Sequence, residues 1–211
     1  MAKWVMELSL KAYRKVSMKT KHRVRIIAVT VVSVCLLCVF SSFATGEYKE
    51  GSIHYTLDDS GNAIITEYDS GDENVIIPSA INGHPVVAIG SEAFYEDTVI
   101  KTVSLPEGIK TIGDNAFYNC YNLTDINIPS TVTELGQGSF YRVQFKEVTI
   151  PEGITEIPYS CFSYCKLTDV HLPNTIKIIR AYSFAYCLDL KYSVSLIVVN
   201  EGEKRCLGLK S

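Results

Sequence analysis

The sequence predicts a β-rich solenoid of about five short coils, and three columns of residues predict it. Phe94, Phe117, Phe140, Phe162 and Phe184 recur at steps of 23, 23, 22 and 22 residues. Pro106, Pro129, Pro151 and Pro173 keep the same step, and so do Ile89, Ile112, Leu135, Ile157 and Ile179. One period shared by three residue types marks a stacked repeat. A unit of 22–23 residues is too short to bury its own apolar face, so it buries that face against its neighbours. Function in such an array sits on a surface of stacked equivalent positions.

Residues 1–25 form a basic stretch with eight Lys/Arg and one acid, Glu7. From Ile26 to Ala44 there is no charge, and as a helix these 19 residues would span roughly 28 Å, about one bilayer core. Lys19, Lys21, Arg23 and Arg25 precede this run and Glu47 and Glu50 follow it, so the positive-inside rule puts the repeats outside the cytoplasm. Two readings of 26–44 stay open. Ser42-Phe43-Ala44 offers the small residues of a signal-peptidase cut, and an uncleaved segment is a transmembrane anchor. A start at Met18 gives a compact secretory signal and leaves 1–17 as an extension that need not be translated. A buried soluble helix is disfavoured, because the run has no polar face.

The formal net charge of −3 hides a split. Beyond Arg25 the chain carries 12 basic and 22 acidic residues. A surface that acidic repels phosphate backbones, which excludes nucleic acid as a partner.

Residues 45–73 read as a hairpin cap. Ile53, Tyr55 and Leu57 alternate with polar residues, a turn cluster covers Asp58 to Asn62, and Ala63 to Tyr68 returns. The remaining residues up to 73 read as polar loop. The cap is expected to cover the open end of the array, since stacked repeats need a polar end.

The solenoid is expected over 74–190. Val75-Ile76-Ile77-Pro78 is the strand of a first coil, with an insertion at Ile81 to Val86. Four clearer strands follow: Val103 to Pro106, Ile126 to Pro129, Val148 to Pro151 and Val170 to Pro173. Each alternates apolar and polar, so one face is buried and one meets water. Proline ends each strand because it cannot donate to a ladder. The Phe of each following turn is expected to fill the convex side. After Leu190 the register fails, and 191–211 reads as an irregular tail or a truncated coil.

The repeat C-x-x-L-x-x-I-x-I-P-x-x-V-x-x-I/L-G-x-x-A/S-F resembles the BspA-type leucine-rich repeat. Its fullest copy runs from Cys120 through Leu123, Ile126, Ile128 and Pro129 to Leu135, Gly136 and Phe140. The resemblance spans about Val75 to Leu190. It implies an exported bacterial or protist surface protein that adheres to host matrix proteins or to other cells.

On the water-facing side of the strands the period builds three columns. Thr102, Asp125, Glu147 and Asp169 form one, and Ser104, Asn127, Thr149 and His171 the next. Glu107, Ser130, Glu152 and Asn174 form the third. At ~4.8 Å between strands, Asp125, Glu147 and Asp169 would crowd three carboxylates into one stripe. Such a stripe favours a basic protein patch or a cation; calcium lacks a supporting loop spacing, and an ordinary solvated face stays open. The binding face expected here is Asp125, Asn127, Glu147, Thr149, Asp169 and His171. Its partner is an extracellular or host-surface protein of basic character, with a membrane as further partner if 26–44 is retained. The alternative is a structural spacer, or a remnant of a longer repeat protein, with no binding of its own.

No catalytic residue, metal or cofactor is expected. His171 could serve a hydrolase only with a nucleophile and an oxyanion site, and Ser104 and Thr149 qualify only by sharing its column. Cys120, Cys165 and Cys187 each stand three residues after a repeat Phe, which reads as a small buried side chain. A Cys165–Cys187 disulfide is open, because export permits one. Cys161 with Cys165 lacks the second pair a zinc site needs. Tyr95, Tyr118, Tyr141, Tyr164 and Tyr186 form one more column, either an adhesive stripe or an amphipathic cover.

Overall fold

In the computed structural model, residues 46–69 and 71–190 are described. The chain divides into two units, Met1–Gly46 and Glu47–Ser211, and the solenoid lies in the second. The export segment expected at 26–44 and the tail at 191–211 lie outside the described residues. Among the described residues no helix is long and apolar enough to cross a membrane.

Alternation over Ile53 to Leu57 and Ala63 to Tyr68 produces an antiparallel pair. An edge strand precedes it, so the sheet begins β1 (Glu47–Glu50), β2 (Ile53–Leu57), β3 (Ala63–Tyr68). β1 was not expected: all four of its residues are exposed, so it carries no alternation to read. The turn between β2 and β3 is tied by Asp58, whose carboxylate accepts from the backbone N–H groups of Ser60 and Asn62 and from Asn62 Nδ2, at 2.8–2.9 Å. Tyr55, Ala63 and Ile65 are buried, and β3 pairs in parallel with β6 of the first coil.

The first coil holds β4 (Asn74–Ile76), β5 (Ala80–Ile81) and β6 (His84–Ile89). The insertion is itself a small hairpin of β5 on β6, turned by Asn82 and Gly83 at φ 51° and 85°. That pair supplies the left-handed residues such a two-residue turn requires. Two short strands follow in each later coil: β7 (Thr102–Ser104) and β8 (Thr111–Ile112), β9 (Asp125–Ile126) and β10 (Glu134–Leu135), β11 (Glu147–Thr149) and β12 (Glu156–Ile157), β13 (Asp169–His171) and β14 (Ile178–Ile179). They stack as parallel ladders, β4-β7-β9 and β11-β13 on one side, β6-β8-β10 and β12-β14 on the other. Both ladders are interrupted at the same place, between the β9/β10 coil and the β11/β12 coil. The cause is in the sequence. Eight residues separate Phe94 from Thr102 and Phe117 from Asp125, but seven separate Phe140 from Glu147 and Phe162 from Asp169.

A third ladder crosses that interruption. The residues two before and two after every repeat Phe are left-handed: Glu92 and Glu96, Asn115 and Asn119, Gly138 and Arg142, Ser160 and Tyr164, Tyr182 and Tyr186, with φ of 53–62°. Alternation of hand turns every second N–H toward the following coil. Phe94, Phe117, Phe140 and Phe162 thus donate to Ala116, Ser139, Cys161 and Ser183 at 2.7–2.9 Å. The left-handed residues do the same, as in Asn115 to Gln137 and Asn119 to Tyr141, both 2.9 Å. These hydrogen bonds offset the roughly 1–2 kcal/mol that each non-glycine left-handed residue costs.

The Phe rings turn inward and fill the core behind the turns. All five are buried and stacked, with centroids 4.9, 5.6, 5.4 and 5.3 Å apart. A turn carrying a ladder brings its side chains close to the axis, so the ring sits in the core. Close coil approach also explains Gly136, where a Cβ would meet the carbonyl carbon of Gly113 and the nitrogen of Asp114 at 2.3 Å.

Candidate functional site: the outer strand face

The residues flanking the buried Val148 and Val170 point to water. β11 and β13 register Glu147 with Asp169 and Thr149 with His171. His171 Nε2 lies 2.9 Å from Glu147 Oε1, a diagonal contact across the strand pair. Glu147, Thr149 and His171 are exposed and Asp169 is half-buried.

Asp125 belongs to the other half of the face. Its registered partner is Thr102, and no strand pairing joins it to Glu147. The expected stripe of three carboxylates is therefore a registered pair, Glu147 and Asp169, with Asp125 across the ladder interruption. Ile76, 78% exposed, heads the column of Ser104, opposite which it is registered.

Asn127 has a different task. Its Oδ1 accepts from the Leu105 N–H and its Nδ2 donates to the Leu105 carbonyl, both at 2.8 Å. In the first coil the equivalent N–H, that of Ile77, donates to the backbone carbonyl of Ser104. The Asn127 amide replaces that backbone partner where β9 ends after two residues. Glu107, in the third column, is likewise engaged: its carboxylate accepts from Ser130 Oγ and N, which holds it below the usual carboxylate range.

The tyrosine column stacks along the turns. Centroids of Tyr95, Tyr118, Tyr141, Tyr164 and Tyr186 follow one another at 5.1, 4.5, 5.3 and 4.4 Å. Desolvation in the stack, with neighbouring phenols and acids adding to it, pushes Tyr95, Tyr141 and Tyr164 up, so these three phenols are neutral at ordinary pH.

The cysteines among the described residues are free and buried. Cys165 and Cys187, for which a disulfide was open, are separate thiols. Each thiol of the column donates back to the Phe carbonyl of the preceding coil: Cys120 to Phe94 at 2.9 Å, Cys165 to Phe140 at 3.1 Å, Cys187 to Phe162 at 3.0 Å. Burial pushes Cys187 up to about 11 and Cys161 to about 12, so neither forms a thiolate nucleophile at neutral pH. Sequence reasoning found the register of this column but missed its hydrogen bond.

A profile of the BspA type leucine rich repeat region matches residues 71–191 in six copies. The fold is similar to that of a leucine-rich cell surface protein of Faecalibacterium prausnitzii at 25% identity and a TM-score of 0.54, over 69% of this chain and 53% of that one. This chain thus spans about half the length of that protein. A leucine-rich repeat protein of Bacteroides capillosus is similar at 26% identity and a TM-score of 0.54, over 61% of this chain and 99% of that one. One from Eubacterium ventriosum, at 18% identity and a TM-score of 0.52 over 67% of this chain and 41% of that one, shares the fold alone. Among curated proteins none matches. With the repeat profile covering more than half of its length and the stacked coils it predicts in place, the chain belongs to the BspA-type leucine-rich repeat family.

Proposed function

We propose that this chain is a non-enzymatic, exported or surface-held scaffold that binds a basic extracellular protein through the outer strand face. The observation that carries the reading is the registered pair Glu147 and Asp169 beside exposed Thr149 and His171, on strands fixed from behind by Val148 and Val170. A rigid face loses little entropy on binding, so several weak polar contacts add to useful affinity. Asp125 extends the acidic character into the neighbouring half. Asn127 acts at one remove, holding the strand on which Asp125 sits. The acidic balance beyond Arg25 supports a basic partner. Similarity to a cell surface protein supports the location, with 26–44 as signal or anchor. Adhesion is the activity such a face would serve.

The test is biolayer interferometry of the full chain over a panel of basic extracellular matrix proteins. Wild type is compared with the triple variant Asp125→Asn, Glu147→Gln, Asp169→Asn. Binding that weakens with salt for wild type, and by tenfold or more in the variant, supports the reading. Equal binding by both sinks the acidic face. The continuous tyrosine stripe is the second reading, and loss of binding in Tyr95→Ser/Tyr164→Ser alone would move the contact there.

A further inference from the structure

The solvent side of the N-terminal sheet gathers groups that the strand-face reading does not use. Antiparallel register puts Lys49 opposite His54 and His54 opposite Glu67, so these three share a face. Glu47, two residues from Lys49 on β1, and Asp69, just past the end of β3, reach the same side, against the His54 ring. A carboxylate oxygen of Glu47, a ring nitrogen of His54 and a carboxylate oxygen of Glu67 all lie within 4.8 Å of one another. His54 is central and less exposed than its neighbours, at 21% for its side chain against 49% for Glu47 and 38% for Asp69.

The two imidazole nitrogens have different surroundings. Nδ1 faces Glu47 Oε1 at 3.7 Å, too long for a hydrogen bond. Nε2 lies 3.2 Å from Asp69 Oδ2, and that oxygen also holds Lys49 Nζ at 2.5 Å. A metal-binding histidine commonly gives its second N–H to a carboxylate, which fixes the ring and raises its basicity. Asp69 occupies that place, and Lys49 neutralises Asp69 rather than either carboxylate of the cluster. The ligand set left is two carboxylates and an imidazole converging from three strands.

We infer that Glu47, His54 and Glu67 form a binding site for a divalent metal ion of the zinc class, with Asp69 orienting the imidazole. One imidazole and two carboxylates suit zinc, whose bonds to such atoms are about 2.0–2.2 Å. Ligand atoms around such an ion stand roughly 3–3.5 Å apart, so small rotations of the two glutamates close the site. A fourth position stays open to water or to a side chain of a partner. Bound metal ties the exposed edge strand β1 to β2 and β3, and ligand held only by the folded state stabilises that state.

Calorimetric titration of the full, chelator-treated chain with zinc chloride tests this, alongside thermal melts with and without zinc. Wild type is expected to bind zinc and to melt at a higher temperature with it. His54→Gln and Glu67→Gln should each weaken binding tenfold or more and remove the thermal shift. Asp69→Asn should weaken it by about 10–100-fold, the usual cost of losing an orienting partner. Should His54→Gln fail to fold, Glu67→Gln, an exposed position, carries the same reading. No zinc binding by wild type overturns the site, and so does binding of equal strength in wild type and Glu67→Gln.

Discussion

The side-chain amide of Asn127 pairs with both backbone groups of Leu105, at 2.8 Å each, and so stands in for a strand that has ended. Asn127→Ala leaves the backbone groups of buried Leu105 without these partners, which costs about 1–3 kcal/mol. Asn127→Asp keeps the acceptor but loses the donor, and it sets a carboxylate against the Leu105 carbonyl. Urea unfolding should rank wild type above both variants. An Asn127→Ala chain as stable as wild type would show that the clip contributes nothing.

Phe140 lies between Phe117 and Phe162, with Phe145 edge-on at 5.9 Å. Phe140→Ala removes a ring from the middle of the stack, beside the ladder interruption, and should cost about 3–5 kcal/mol. Phe140→Leu should cost less, because part of the volume is kept. Equal losses for the two, measured by urea midpoint at constant slope, would count against the stack as a packing column.

Acid should destabilise the fold through three carboxyls. Asp58 is held low by the Asn62 side chain, Asp69 by Lys49 and His54, and Glu107 by Ser130. A carboxyl below its unfolded value stabilises the fold above that value and loses the contribution as pH falls through the folded value. The unfolding midpoint should therefore drop below about pH 4. Asp58→Asn with Glu107→Gln should flatten that acid limb. An unchanged limb would place the acid sensitivity elsewhere.

Much of the fold was legible because period and burial coincide. The Phe column is buried in every coil and the Ile column in all but the last, and Tyr55 and Ile65 alternate where β2 and β3 form. β1 escaped notice because exposed residues on both faces leave no periodicity. The left-handed turn positions escaped as well. Asn115, Asn119 and Gly138 favour that conformation, but Glu92, Arg142 and Tyr164 do not, and there the coil-to-coil hydrogen bonds decide. Asn127 shares a column with Ser104, Thr149 and His171, so nothing in the pattern separates a side chain that clips a neighbour from one that faces out. Glu47, His54 and Glu67 come from three strands, and the sequence alone could not align them without β1.

The turn ladder, with the Phe stack, carries the array across the gap in both strand ladders and so keeps the outer face rigid. Residue-resolved amide hydrogen exchange tests it most directly. The N–H groups of Phe117 and Phe140, donated to Ser139 and Cys161 at 2.8 and 2.9 Å, are predicted to exchange as slowly as that of Ile150 next to β11, which donates to His171. Exchange of Phe117 and Phe140 at the rate of an open surface turn would contradict the ladder, and with it the rigid face.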